Sequence, residues 1–460
     1  MKIISFLLFF LSIIFMNGCA QKQAMLKADT LVAHGFYKDA ATFTDSKIDK
    51  DDLYAKDNLL WSLQSGVSYF YASDNNASIK HFNDSEAIMK HYRQQILIKD
   101  ISQTLKSTLL NDRTRPYIGT VYDGIMANTY KAISYMALED TDGARVEFNR
   151  AIDRQRRAKI FFSQMINKEL SAIKKKELEW KRSGKNLEVD DAYKNSLINQ
   201  KYPSLHAYKP YPDFINPITT YLAGLFARAD GADSKADSLL KETYGMMPKN
   251  ENVRIDLEED ITEPTVWLVF ENGQAPILKE WRIDFPIWIF TNKLSYISVA
   301  LPKLVPRYKA YNYLSIKDDT NNTTQTKFFS SMDRVIQTEF AKSYDATVRR
   351  AILSTATKTA INYAIQEQTK NNNSGLAAFV SVASAIYQVA STQADTRSWT
   401  TLPKEFQLAR FKRPENGNIS IRASNNLLIK NIKIPKTQHT LIYVKIATTN
   451  AFASVKVIPF

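Results

Sequence analysis

The stretch Ala132–Ala151, AISYMALEDTDGARVEFNRA, decides how the first half of this chain is read. Small Ala132 and bulky Tyr135 lie one helical turn apart, and Ala144, Phe148 and Ala151 repeat that spacing beyond a polar turn at Asp140–Gly143. Such a pattern predicts two antiparallel helices, with small side chains where they cross and an aromatic ring filling the space beside them. The same intervals recur at Gly224, Ala227, Ala236, Leu240 and Thr243, followed by Pro248 as a helix stop. A third set runs Gly66, Tyr69, Ser78, Phe82 and Ser85. Around these units the pattern is helical from about Met25 to Asn250.

A shared spacing at several places implies a repeat, and this one resembles the tetratricopeptide repeat. Gly35-Phe36-Tyr37-Lys38-Asp39-Ala40-Ala41 resembles the turn and second-helix start of one more unit. The units lack a tryptophan at the usual first-helix position and long insertions separate them, so a discontinuous stack is expected. Stacks of this kind offer a concave surface to peptides or other proteins.

After the Ala132–Ala151 unit no proline or glycine interrupts Ala144 to about Ser183, which predicts a helical rod of about 60 Å. Arg145, Arg150, Arg154, Arg156, Arg157 and Lys159 crowd its first part, and Lys174, Lys175, Lys176, Lys181 and Arg182 its last. Interspersed Glu169, Glu177 and Glu179 are compatible with a solvated face laced with ion pairs. The sharper reading is an arm that docks a partner or polyanion, with Arg145, Arg154, Arg157, Lys174, Lys175 and Lys176 as its candidate contacts.

Near Ile261 the period changes from helical to alternating. Val266–Phe270, Ile283–Phe290 and Tyr296–Leu301 read as strands, and Pro286 marks the second as an edge or bulge. Asp318–Gln325 reads as a polar loop. Helix returns at about Met332, and an uncharged interval from Asn371 to Ala394, containing Leu376–Ala390, supplies the second arm of an expected hairpin over 332–398. That arm is a buried helix, an oligomer contact or a membrane-associated element. Phe406–Phe411, Ile419–Arg422, Leu427–Ile434, Leu441–Ile446 and Val455–Phe460 read as strands that complete one β-domain with the first group. The fold class is therefore α+β, with a helical array over 26–250 and a mixed β-domain with a helical hairpin over 261–460.

The N-terminal segment gives the address. Lys2 precedes an apolar run from Ile3 to Met16, and Gly18 stands directly before Cys19, the sole cysteine. As a helix that run spans about 21 Å, short of the ~30 Å hydrocarbon core, so a cleaved leader fits better than an anchor helix. A thiol following a small residue at the cut resembles the bacterial lipoprotein signal, although Met16 and Asn17 depart from its usual box. The resemblance implies a leader over 1–18, diacylglycerol on Cys19, a tether over 19–25 and, from Ala20, an outer-membrane address facing the periplasm.

Composition agrees with an exported globular chain. The 460 residues are 44% apolar and 12% aromatic with only 13 glycines, favouring a large, helix-rich core. Lipid on the sole cysteine removes disulfides and cysteine-based metal sites. A net charge of +14, lowered by one when Lys2 leaves, favours anionic lipid headgroups or acidic polymers as partners, and the compartment excludes nucleic acid.

At Glu271-Asn272-Gly273, Glu280-Trp281-Arg282-Ile283-Asp284, Ala300-Leu301-Pro302, Ala394-Asp395-Thr396-Arg397-Ser398-Trp399, Leu402-Pro403 and Ala144-Arg145-Val146-Glu147-Phe148, the chain resembles a family of functionally uncharacterised Gram-negative outer-membrane lipoproteins. That resemblance implies the layout above and no catalytic residues.

Reaction machinery is sparse in the sequence. It has no phosphate-binding glycine loop, no nucleophile elbow and no histidine pair at metal-ligand spacing. No catalytic residue, metal or cofactor is therefore assigned, and a wall-modifying enzyme is the least favoured reading. One polar constellation, Trp281, Arg282, Asp284, Asp395, Arg397 and Trp399, is expected to form a structural ion-pair cluster that locks the hairpin to the strands. The reading overall is a lipid-anchored envelope interaction protein that binds partner proteins through its helical repeats. The alternative is an oligomeric transport or assembly component acting at the membrane through the hairpin.

Overall fold

The computed structural model describes residues 21–98, 115–182, 191–206, 210–211, 213–259, 261, 263–287, 295–370, 393–436 and 439–460. Cys19, the leader and Leu376–Ala390, with them the second arm of the expected hairpin, lie outside the described residues. The N-terminal part is helical: α1 (21–33), α2 (Tyr37–Asp45), α3 (Asn58–Tyr71), α4 (Asn75–Ile98), α5 (Val121–Ala137), α6 (Thr141–Arg182), α7 (Asp191–Lys201), α8 (Pro217–Ala229), α9 (Asp233–Met246) and α10 (Glu251–Glu258). Residues 21–25, the expected tether, are already helical. Met25 packs against the main core.

One turn geometry joins the helix pairs α1–α2, α3–α4, α5–α6 and α8–α9. In each, an N–H is donated to the carbonyl five residues earlier: Phe36 to Leu31 (2.9 Å), Asp74 to Tyr69 (3.0 Å), Asp140 to Tyr135 (2.9 Å) and Ala232 to Ala227 (2.8 Å). The residue before each donor is left-handed, with φ of 81° at Gly35, 66° at Ser73, 60° at Glu139 and 74° at Gly231. This closure satisfies the last carbonyls of the first helix and turns the chain straight into the second. The turn between α5 and α6 is thus Leu138–Asp140, slightly earlier than its polar residues suggest.

Small residues let each pair approach. A β-carbon on Gly66 would meet the Phe82 ring at 2.8 Å, and one on Gly224 would meet Leu240 at 3.1 Å. Ala28, Ala40, Ala132, Ala144, Ala151 and Ala236 are all fully buried. Hydrophobic side chains of the successive pairs join one continuous core.

The strands β1 (Thr265–Asn272), β2 (Ile277–Ile287), β3 (Ser295–Val305), β4 (Leu314–Asp318), β5 (Thr323–Gln325), β6 (Lys327–Ser331), β7 (Glu405–Lys412), β8 (Asn418–Ala423), β9 (Leu428–Lys433), β10 (His439–Ile446) and β11 (Ser454–Pro459) follow, interrupted by helix α11 (Met332–Lys370). The main sheet runs β11-β10-β1-β7-β6, so strands from both sides of α11 build it, as expected. Its β1–β10 pair is parallel and its other pairs are antiparallel. A second sheet runs β5-β4-β8-β9, and β2 with β3 forms a separate two-stranded ribbon. Pro286 sits in that ribbon, where each strand pairs on one side only. The segment Asp318–Gln325 is more than a loop: Thr323–Gln325 pairs with β4, because the two β-branched threonines suit a solvated edge strand.

Layering explains the unbroken apolar run of β1. Trp267 and Val269 face the helices and join the core that reaches from Val32 to Ile458. Val266, Leu268 and Phe270 face the second sheet with Leu314, Ile316, Ile419 and Ile421. A strand covered on both faces carries apolar residues at every position.

At 42 residues, or about 63 Å, α6 is the rod expected from its lack of breakers. Its far end reaches a second core, where Trp180 meets Tyr202, the β2–β3 ribbon (Phe285, Val299, Leu301) and Tyr344, Val348 and Ile352 of α11. Of the expected hairpin over 332–398, α11 is its first arm, while 393–398 is irregular chain leading into Trp399.

Candidate functional site

The site is a groove of about 410 Å³ between α4 and α6, lined by Glu86, Ala87, Lys90, Arg93, Gln94, Arg150 and Arg154. On α4, Glu86, Lys90 and Arg93 share one face through steps of four and three residues, and Arg150 and Arg154 do the same on α6. The facing helices place the two stripes opposite each other. Gly124 of α5 makes room beneath, since Arg154 Nη1 lies 3.0 Å from where a β-carbon would stand.

Below the groove lies a buried charge network. Lys131 of α5, with no exposed surface, donates to Glu86 and lies 2.9 Å from Glu147. Asn128 donates to Glu86 at 2.9 Å and to Glu147 at 2.5 Å. Arg154 donates to Glu86 at 2.8 Å, while Arg150 donates to Glu147 at 2.7 Å and stands 3.7 Å from Glu86. Burial opposes ionisation of Glu86, yet Lys131 and then Asn128 and Arg154 hold its carboxyl down to about 2. These two carboxylates are thus committed to three cations.

Arg93 and Lys90 are left over. The Arg93 guanidinium lies 4.6 Å from the centre of the Phe161 ring, and among the described residues no carboxylate reaches it within ion-pair distance. Burial, then the neighbouring Arg154, push it down to about 10, against the more distant Glu339 and Asp123. It remains charged at neutral pH. Lys90 is exposed at the rim. Five cations therefore face two carboxylates, a surplus that makes the groove a focus of positive potential.

Of the six candidate contacts taken from sequence, Arg154 lies in this groove and the other five do not. Arg145 donates to Asp230 at 2.6 and 2.7 Å and also pairs with Asp142, tying α6 to the turn after α8. Arg157 pairs with Asp153 at 3.0 Å, and Lys176 with Glu179 at 3.1 Å. Lys174 and Lys175 are exposed. Lys90 and Arg93 escape a linear reading because their site forms only when α4 meets a helix some sixty positions later; their one signal is the shared face with Glu86.

The expected cluster of Trp281, Arg282, Asp284, Asp395, Arg397 and Trp399 does not form as one unit. Arg397 holds Asp395 in a bidentate pair (2.9 and 2.6 Å) and also donates to Asp57, the residue preceding α3, at 2.8 Å. Trp399 lies in the main core, 5.9 Å from Phe82 and 6.0 Å from Tyr130 between ring centres. Trp281 instead packs against Tyr202 at 5.9 Å, Arg282 pairs with Glu280 at 3.0 Å and Asp284 is exposed. Neighbours in a strand point to opposite faces, so Trp281 and Arg282 diverge. What joins the two halves is Glu280, which accepts the Ala394 N–H at 3.0 Å.

A second buried cluster fixes the helices on the main sheet. Glu271 of β1, fully buried, accepts from Tyr71 of α3 (2.5 Å), Tyr130 of α5 (2.7 Å) and Tyr443 of β10 (2.6 Å). Lys445 lies 3.9 Å from it and donates to Gly273 O at 2.8 Å. Burial raises all three tyrosines well above the usual range. The role of this cluster is to fasten helices to strands. Searches against protein-family models, curated proteins and solved structures match nothing to this chain.

Proposed function

We propose that this chain is a lipid-anchored interaction protein of the cell envelope, held by an acyl group on Cys19 at the periplasmic face of the outer membrane. Its stacked helix pairs, taken as tetratricopeptide-like units, present the α4–α6 face to partner proteins. The observation that carries this reading is the recurrence of one turn geometry at Gly35, Ser73, Glu139 and Gly231, with the last three joining helices packed on each other. Repeated pairs on one core make a rigid frame, and rigid frames present binding surfaces at low entropic cost. The leader and Cys19 support the anchor. No helix of the described residues is long and apolar enough to cross a membrane, so the anchor assignment rests on the sequence around Cys19.

Two measurements test it. A photo-crosslinking side chain at Ala87, on the groove, is expected to capture discrete envelope proteins that the same label at Lys279, on the β2–β3 ribbon, does not. Cys19→Ser is expected to lose lipid labelling and leave the membrane fraction. Identical capture from both positions overturns the binding face, and undiminished membrane retention of Cys19→Ser overturns the anchor. A large ring-shaped homo-oligomer in mild detergent would instead favour an assembly component.

A further inference from the structure

We propose that the α4–α6 groove is a binding site for a ligand carrying two linked or neighbouring phosphate groups, whether free or on a lipid headgroup. The argument begins with charge. Of the groove's cations, Lys131, Arg150 and Arg154 are matched by Glu86 and Glu147, whereas Arg93 lies on the Phe161 ring with Glu339 and Asp123 beyond ion-pair distance, and Lys90 stands at the rim. Holding a partly buried guanidinium beside Arg154 costs free energy in the empty protein, and an anion between them removes that cost. The groove is therefore arranged for an occupant with negative charge.

Geometry narrows the class. Arg93, Arg150 and Arg154 offer planar forks from two helices, and a phosphate group, with three terminal oxygens and up to two negative charges, accepts from more donors than the two oxygens of a carboxylate. The surplus charge suits a dianion or trianion more than a single carboxylate. A volume of about 410 Å³ lies in the range of small-ligand sites and accommodates two phosphoryl groups. Phe161 under Arg93 fixes the guanidinium plane, and Glu86 fixes that of Arg154, so little ordering remains for the ligand to impose.

This inference is separable from partner capture, since crosslinks can be found while phosphate binding fails and the reverse. The test is isothermal titration of the full mature chain with inorganic pyrophosphate, alongside flotation with phosphatidic acid vesicles and with neutral phosphatidylcholine vesicles. Pyrophosphate is expected to bind one site, weaken with salt, and lose about tenfold or more in affinity in Arg93→Gln. Arg93 makes no ion pair among the described residues and its contact is the Phe161 ring, so the variant is expected to melt within a few degrees of the parent. Lys90→Gln, at an exposed position, serves as a second variant with a smaller loss, and Arg157→Gln, outside the groove, is expected to bind as the parent does. Arg93-dependent flotation with phosphatidic acid identifies a headgroup source, and its absence with pyrophosphate binding intact identifies a free ligand. The proposal is overturned by absent pyrophosphate binding, by binding indifferent to both Arg93→Gln and Lys90→Gln, or by Arg93-dependent binding of an oligoglutamate peptide alone.

Discussion

Single residues carry more of this fold than their chemistry suggests, and Gly35 is the clearest case. Its φ of 81° is left-handed, and an added β-carbon would stand 2.2 Å from the Phe452 carbonyl oxygen. The same contact is held by Phe452 N–H donating to His34 O at 3.1 Å, so the backbones must touch there. Gly35→Ala is therefore expected to cost more than the roughly 1 kcal/mol of a left-handed alanine, because the loop before β11 has to retreat as well. A urea titration giving less than 1 kcal/mol would show that the first turn does not dock as described. Glu339 of α11 is the second case. Its carboxylate accepts the Val121 N–H at 2.9 and 3.1 Å, capping the N-terminus of α5 from another element. Burial, then Asp123 beside it, push it up to about 8. The groups that face it are Val121 and Tyr122 N–H, Asp123 and Arg93. Its folded value exceeds the unfolded one, so its favourable contribution is complete below pH 4.5 and is lost as pH rises towards 8. Melting temperature is expected to fall over that window, and Glu339→Gln is expected to flatten the fall.

Elements obey a rule that is visible in the linear sequence. Two helix pairs set a glycine against a larger residue sixteen positions later, Gly66 with Phe82 and Gly224 with Leu240. Spacing of this kind is local, and so the helix pairs, their turns and the long α6 were legible before any coordinates. The two glycines are nevertheless unequal. At Gly66 a methyl group would meet the Phe82 ring at 2.8, 2.9 and 3.0 Å, and a ring in a packed core has nowhere to turn. At Gly224 the nearest atoms, at 3.1 Å, belong to the flexible end of Leu240. Gly66→Ala is expected to destabilise by roughly 1–3 kcal/mol through overpacking, while Gly224→Ala stays near neutral because about 1 kcal/mol of helix propensity offsets the strain. Equal losses at the two sites, measured by denaturant titration, would contradict this packing. Other features depend on contacts between distant segments and stayed hidden. The short polar strand β5 carries almost no apolar signal, and Arg397, besides Asp395 of the expected cluster, finds Asp57 over three hundred residues away.

At the scale of the molecule, the helical and strand regions that sequence periodicity separates near Ile261 prove to share their interior. One cluster of buried side chains runs from Val32 of α1 through Phe70, Tyr130 and Phe226 to Trp267, Leu408 and Ile458 of the main sheet. Periodicity reports the change of secondary structure and is blind to which faces meet, so a boundary in pattern need not be a boundary in packing. Glu271 makes the distinction testable. It lies on the strand side, yet Tyr71 and Tyr130, two of its three tyrosine partners, come from helices. Replacing it by Ala leaves three buried hydroxyls without this acceptor and the Lys445 ammonium without its counter-charge, which is expected to cost roughly 3–5 kcal/mol. Because the cluster binds both halves, that loss should lower the entire melt in circular dichroism as a single transition. A fragment covering residues 21–259 exposes the apolar faces of α3, α5 and α8 that the sheet covers, and it is expected to melt without cooperativity. If the fragment melts sharply at the temperature of the full chain, or if Glu271→Ala melts the strands while leaving the helices intact, the two regions are independent domains and the shared core contributes little to stability.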